Sequence, residues 1–188
     1  MWSPKKGRLG RRLVVIATAL ALGGITAGCF QPLYGDRPVS GGQDVRGHLS
    51  GVDVVPINAP NGTPAARLAV EVRNALIFEL TGGSGMSAPT HQLQIQLNQT
   101  RQQVIVDITT ARPDIENYGI DATYSLTELG SKKVVVTGRT FARVSFDIPG
   151  QQQRFARARG LRDAEDRASK VIAEHIRSRL ASFFVTGT

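Results

Sequence analysis

Strict alternation of apolar and polar residues in the middle of the chain predicts a β-sheet. Leu93, Ile95 and Leu97 alternate with glutamine and asparagine, and the same period of two returns from Ile120 to Thr127. Side chains of a strand point alternately to its two faces, so this pattern predicts strands with one buried and one solvated face. The first alternation continues loosely to Ile108.

Turn residues divide this region into separate strands. The segment 128–131 contains Gly130 and predicts a hairpin connection to a return strand over Val134–Asp147, where Gly138 suggests a bulge. A short apolar run, Val52–Ile57, predicts a strand that precedes the others. A break between the two alternating stretches is predicted by three residues: Pro113, Asn117 and Gly119.

Two further segments have helical periodicity. Thr63-Pro64 is a typical helix start, and Gly82-Gly83 a typical helix end. Between them, apolar residues recur every four positions: Leu68, Val72, Leu76 and Leu80. The second predicted helix runs from about Ala158 to Phe184. One face of it is apolar and is formed by Leu161, Ala164, Ala168, Ile172, Ile176, Leu180 and Phe183.

These elements predict one α+β domain over residues 51–188, in the order β-α-β-β-β-α. Two helices with single apolar faces need one sheet face to cover. We therefore expect a two-layer α/β sandwich with a four-stranded, mostly antiparallel sheet and both helices on one face. The other face is polar, either as an ordinary solvated surface or as one that docks inside something polar. It carries Gln94, Gln96, Asn98, Thr123 and Thr127.

The first residues have the parts of a secretory signal. A basic head is followed by an uncharged apolar run, Leu13–Ile25, and by Thr26-Ala27-Gly28-Cys29. This cut site resembles a lipobox, which predicts a signal peptide over 1–28, a covalent lipid on Cys29 and an extended tether over 29–50. Phe30 follows the cysteine where an aspartate would favour the inner membrane, so we expect the periplasmic face of the outer membrane. The alternatives are a plain signal peptide with an incidental cysteine and an uncleaved anchor helix.

The net charge of +8 for 188 residues suggests a nucleic-acid ligand only at first sight. Five basic residues and no acidic ones precede Cys29, so the mature chain has 18 basic against 15 acidic residues, or +3. Export also separates the chain from nucleic acid, which we do not expect as a partner. Cys29 is the single cysteine, so no internal disulfide is possible.

No arrangement of residues indicates catalysis, so we expect neither an enzyme nor a bound cofactor other than the lipid. The histidines have no metal-ligand spacing, and His175, beside the apolar face of the last helix, is predicted at the surface or at its boundary with the core. Gly82-Gly83-Ser84-Gly85 is not followed by a lysine, so a phosphate-binding loop is excluded. The carboxylates are scattered or paired along the last helix, which leaves no general acid and base.

Arginines form the most informative polar pattern. In an antiparallel meander the connections after the second and fourth strands emerge at the same end of the sheet. They carry Arg112 on one side and Arg154, Arg157 and Arg159 on the other, with Arg101 near. Arginine binds phosphate in a bidentate manner, so the cluster is a candidate anion site; the alternative is a solvated loop with incidental charge.

Two stretches behind the lipobox resemble the lipopolysaccharide-assembly lipoproteins of the LptE family, in the short form found in alphaproteobacteria. One is Cys29-Phe30-Gln31-Pro32-Leu33-Tyr34-Gly35, although the family often has a glycine after the cysteine. The other is Tyr124-Ser-Leu-Thr127 with Arg143-Val-Ser-Phe146 and Ile176-Arg-Ser-Arg-Leu180. The resemblance covers essentially the whole chain.

The resemblance implies a function in lipopolysaccharide export. Such proteins sit as a plug inside the outer-membrane β-barrel LptD, bind lipopolysaccharide and help to place it in the outer leaflet. Their glycolipid-binding basic residues match Arg112 and Arg157 in this chain. Two alternatives remain open: an auxiliary lipoprotein of an envelope ABC transporter, and a hydrolase, which the absence of a nucleophile and base disfavours.

Overall fold

Four strands and three helices make up the described part of the chain. The computed structural model describes residues 44–107, 112–147 and 154–187, all within one unit that spans Pro38–Thr188. The predicted signal peptide, Cys29 and most of the tether lie outside these ranges. The elements in chain order are α1 (Val45–Ser50), β1 (Val52–Val54), α2 (Pro64–Thr81), β2 (His91–Asp107), β3 (Arg112–Glu128), β4 (Val134–Asp147) and α3 (Arg154–Thr186).

The strands form one mixed sheet in the order β1-β2-β3-β4. β1 pairs parallel with β2, and β2, β3 and β4 form an antiparallel meander. The parallel pair is possible because α2 carries the chain back between β1 and β2. The predicted α+β class and the four-stranded, mostly antiparallel sheet are confirmed.

A single apolar core lies between the sheet and the helices. In β3 the buried side chains are those of every second residue from Tyr118 to Leu126, as strand geometry requires. The predicted apolar faces of α2 and α3 pack against them, with Leu76, Ile172 and Ile176 fully buried. Burial of such a side chain contributes about 1.5–3 kcal/mol, so these two helix faces fix the layer arrangement.

The ends of α2 form as its sequence predicts. The Thr63 side chain accepts a hydrogen bond from the Ala66 backbone N–H at 3.2 Å, and Pro64 occupies the first turn. Gly82 adopts a left-handed conformation at φ 61°, which glycine tolerates without a Cβ clash. The helix therefore begins and ends where its capping residues stand.

Helix α3 has 33 residues and begins at Arg154, four residues before the predicted start at Ala158. Two carboxylates of α3 are paired with a basic residue four positions later: Arg167 contacts Asp163 at 2.8 Å and Lys170 contacts Asp166 at 2.7 Å. In the described residues, no helix combines the length and the hydropathy that crossing a membrane requires.

Helix α1 corrects one part of the prediction. It falls within the segment 29–50, which was expected to be extended, and its Leu49 is buried in the core. A helix of six residues is too short to be stable alone. It forms here because it packs against α2 and α3, which the local sequence does not reveal.

The predicted break before Ile120 is wrong, because β3 begins at Arg112 and includes Pro113, Asn117 and Gly119. Pro113 lies where the pairing with β2 is irregular and beyond the last β4 pair, Ile115 opposite Asp147. A proline is tolerated at such a bulge or at an edge. Gly138 does not mark a bulge either, because it pairs regularly with Tyr124.

The sheet surface that no described helix covers is called the open face. It is formed by alternate residues of β2, β3 and β4. Gln94, Gln96, Asn98 and Thr123 are exposed there as predicted, and Thr127 is partly exposed. The structure thus leaves a polar sheet face accessible.

Candidate functional site at the arginine-rich end of the sheet

The predicted basic cluster falls where β2, β3, β4 and α3 approach one end of the sheet, here called the arginine end. Arg112 is the first residue of β3 and pairs with Asp107 of β2. Arg154 is the first residue of α3, seven positions after β4 ends. The side chains of Arg112 and Arg154 lie outside the described part of the structure, as do the connections 108–111 and 148–153.

A buried carboxylate joins two arginines at this end. Glu116 is 2% exposed because it occupies a helix-facing position of β3, in phase with Tyr118. Arg157 donates from Nη2 to Glu116 Oε2 at 3.1 Å, and Arg101 Nε lies 3.9 Å from Oε1. A buried charge requires such partners because its desolvation is costly. Glu116 therefore ties the start of α3 to β2 and β3.

The buried ring of Tyr118 lies beside this ion pair and packs against Arg101. The Arg101 guanidinium is 5.9 Å from the ring centroid, and the Tyr118 hydroxyl donates to Gln99 Oε1 at 3.3 Å. Burial, followed by the Glu165 carboxylate, raises the pKa of Tyr118 to about 12. The hydroxyl therefore stays protonated at neutral pH and can donate its hydrogen bond to Gln99.

A second buried carboxylate lies between the helices. Arg67 of α2 donates to Glu165 Oε2 of α3 at 2.6 Å, and Glu165 is 4% exposed. Its Oε1 has no hydrogen-bond partner in the described structure. Both buried acids are thus held by arginines whose own side chains are about half exposed.

The structure separates two of the predicted arginines. Arg157 and Arg159 are two residues apart in a helix, so their side chains leave the axis about 200° apart. Arg157 reaches Glu116, whereas Arg159 is exposed and lies on the side of Phe155, which is 88% exposed. The residues brought together are Arg157 and Arg101, with Glu116 between them.

This geometry suits anion binding. Arg157 directs one of its five N–H donors to Glu116 and keeps the others available, since its side chain is 49% exposed. No group of three metal-ligating side chains occurs within the described ranges. Guanidinium groups held in place by buried acids recognise phosphate or carboxylate groups, and they need no nucleophile for this.

Sequence reasoning missed both buried acids. Glu116 falls in the stretch where a break was predicted, so its strand phase was not considered. Its position two residues before Tyr118 would have predicted a helix-facing side chain once the strand was extended. Glu165 lies four residues after Leu161 and three before Ala168, so helical periodicity places it beside the apolar face of α3 and could have found it.

A family model described as "LptE: Lipopolysaccharide-assembly" matches residues 49–180, well over half of the chain. No curated protein sequence matches.

Among solved structures, a candidate lipoprotein from Caulobacter crescentus is similar, with a TM-score of 0.61 and 22% identity, over 75% of this chain and 95% of that one. At that identity the likeness shows the fold. A minor lipoprotein from Acinetobacter baumannii has a TM-score of 0.49 and 9% identity, over 72% and 94% of the two chains. Rare lipoprotein B from Shewanella oneidensis has a TM-score of 0.45 and 12% identity, over 70% and 93%.

Proposed function

Because this chain belongs to the LptE family of lipopolysaccharide-assembly proteins, we propose that it is an outer-membrane lipoprotein that binds lipopolysaccharide. In this proposal it assists insertion of the glycolipid into the outer leaflet as the partner of an LptD-type β-barrel. The role is one of binding and assembly without catalysis. The observation that carries it is the pair Arg101 and Arg157, held on buried Glu116 with exposed donors.

Phosphate groups are the part of lipopolysaccharide that the arginine end suits. A guanidinium forms short, charge-assisted hydrogen bonds to phosphate oxygens, about twice as strong as neutral ones. Glu116 restrains Arg101 and Arg157, so less side-chain entropy is lost when the anion binds. Arg159, which is exposed near the start of α3, adds positive charge to this end, and Arg112 and Arg154 remain predicted members of the cluster.

The open face supports the barrel partnership. Its exposed side chains are mainly amides and hydroxyls, which suit the polar interior of an outer-membrane barrel. In this arrangement the helices cover the apolar core and the sheet faces the lumen, where the barrel wall and the passing glycolipid both lie.

The binding site is tested with the full chain in detergent and purified lipopolysaccharide. Gln in place of Arg157 keeps a donor for Glu116, so the double variant R157Q/R159Q is expected to fold and to bind about tenfold more weakly. The matched control K132Q/K133Q removes two charges from the hairpin at the opposite end of the sheet and is expected to bind like the wild type. Equal affinity of both variants would remove the arginine end as the binding site.

The anchor and the partner are tested in cells. Labelled fatty acid is expected on the wild-type chain and not on Cys29→Ser, because the thiol is the single site for the lipid. The wild-type chain taken from detergent-solubilised membranes is expected to carry a large β-barrel with it. Label on the variant would contradict the lipid site, and recovery of an inner-membrane transporter instead of a barrel would favour the ABC-transporter alternative.

A further inference from the structure

The centre of the open face contains an aromatic ring within a grid of polar side chains. Asn98, Asp121 and Phe141 stand opposite one another across β2, β3 and β4. The adjacent row is formed by Gln96, Thr123 and Arg139. Phe141 is 63% exposed because the phase of β4 places it on the polar, open face of the sheet.

Arg143 connects β3 and β4 within this grid. Its Nη2 donates to both Asp121 oxygens, at 3.0 and 3.1 Å, and its Nη1 donates to the backbone oxygens of Ile120 and Ala142. The guanidinium carbon lies 5.4 Å from the Phe141 ring centroid. These contacts place Asp121, Arg143 and Phe141 side by side on the open face.

Gly119 makes room for this arrangement. A Cβ atom at this position would lie 2.5 Å from Thr100 Oγ1 and 2.8 Å from Arg143 Cδ. The absence of a side chain lets Arg143 lie flat across β3 and turn its head towards Asp121.

A depression of about 460 Å³ lies on the open face beside the Asp121–Arg143 pair, and it combines the Phe141 ring with planar hydrogen-bonding groups. This size lies in the range of small-molecule sites, roughly 300–1,000 Å³. A sugar ring has an apolar C–H face, which stacks on the negative face of an aromatic ring. Its hydroxyls need donors and acceptors at its edge, and the amides of Gln96 and Asn98 provide both.

Resting on the proposed function, we propose that the patch around Phe141 binds the saccharide portion of the glycolipid. Phe141 is the stacking platform, Gln96, Asn98 and Asp121 bind hydroxyls, and Arg139 favours a sugar that bears a carboxylate or phosphate. Glu116 faces the helices whereas Phe141 lies on the open face, so this patch is separate from the Glu116–Arg157 pair of the arginine end. The two sites would read different parts of one ligand.

The test uses the full chain in detergent and, as probe, the lipid-free carbohydrate released from purified lipopolysaccharide by mild acid. Titration calorimetry is expected to show binding to the wild type and about five- to tenfold weaker binding to Phe141→Ala. Phe141→Tyr keeps the ring and is expected to bind within about twofold of the wild type. Phe155→Ala removes another exposed phenylalanine and is expected to have no effect.

Two outcomes would overturn the inference: no binding of the carbohydrate to the wild type, or equal binding to Phe141→Ala. If intact lipopolysaccharide still binds and R157Q/R159Q weakens it, only the saccharide patch is lost. If the carbohydrate binds through Phe141 while R157Q/R159Q binds intact lipopolysaccharide as tightly as the wild type, the saccharide patch is supported and the proposed phosphate site is wrong.

Discussion

Single glycines decide how closely side chains approach the sheet. On the helix-facing side, the buried Tyr124 ring lies over Gly138 of the neighbouring strand. A Cβ atom at Gly138 would lie 2.5 Å from Tyr124 Cζ. The Tyr124 ring is buried, so it cannot turn out into solvent to relieve this clash. Gly138, which was predicted to mark a bulge, therefore leaves the space into which the Tyr124 ring packs.

The packing of Tyr124 on Gly138 gives a prediction for stability. Gly138→Ala is expected to displace the Tyr124 ring and to lower the free energy of unfolding by about 1–3 kcal/mol, the usual cost of overpacking. Gly130→Ala is the matched control, because no atom lies within 4 Å of the added Cβ. Urea unfolding of both variants checks this, and an unchanged midpoint for Gly138→Ala would show that the ring moves without cost.

Residue identity also explains why only part of the candidate site was predictable. Connectivity alone placed Arg157 near the ends of the strands, since a meander brings alternate connections together. Its partner Glu116 was not recognised because the pattern around Pro113 and Gly119 resembles a turn. The opposite directions of Arg157 and Arg159 depend on the start of α3 at Arg154, which lies before the first apolar residue of the helical pattern.

At the scale of elements, periodicity was sufficient wherever one face of an element is buried. The return strand Val134–Asp147 and helix α2 have their predicted bounds because apolar phase and capping residues agree. Helix α1 and the first half of β3 were missed because tertiary contacts and strand pairing hold them. Local sequence contains no signal for such partners.

The pairing of α2 with α3 shows the same limit. Two ion pairs join the helices, Arg67 with Glu165 at 2.6 Å and Arg177 with Glu79 at 3.2 Å. Each contact joins residues 98 positions apart in sequence, so the helices run in the same direction. Apolar faces predicted that the helices would share a layer, but the register between them is visible only in these cross-links.

At the scale of the whole molecule, aromatic rings from α1, β2 and α3 pack together at the end of the sheet that carries the β3–β4 hairpin. His48 of α1 stacks on Phe184 of α3 at 5.2 Å, and His91 of β2 meets the same ring edge-on at 5.2 Å. The His91 Nδ1 also lies 2.9 Å from Thr90 Oγ1. This cluster fastens the short helix α1 to the sheet and to the end of α3.

The cluster predicts that stability depends on pH. Burial lowers the pKa of His91 below 6.5, positive charge on His48 lowers it further, and Glu128 partly opposes this. At His91 the unfolded chain therefore binds a proton more readily than the folded one. The contribution of His91 to the free energy of unfolding is full above pH 6.5 and decreases as the pH falls below that value. Urea unfolding between about pH 7.5 and 5.5 is expected to show a smaller loss for His91→Asn than for the wild type. Parallel curves for the two proteins would mean that His91 is as readily protonated in the folded chain as in the unfolded one.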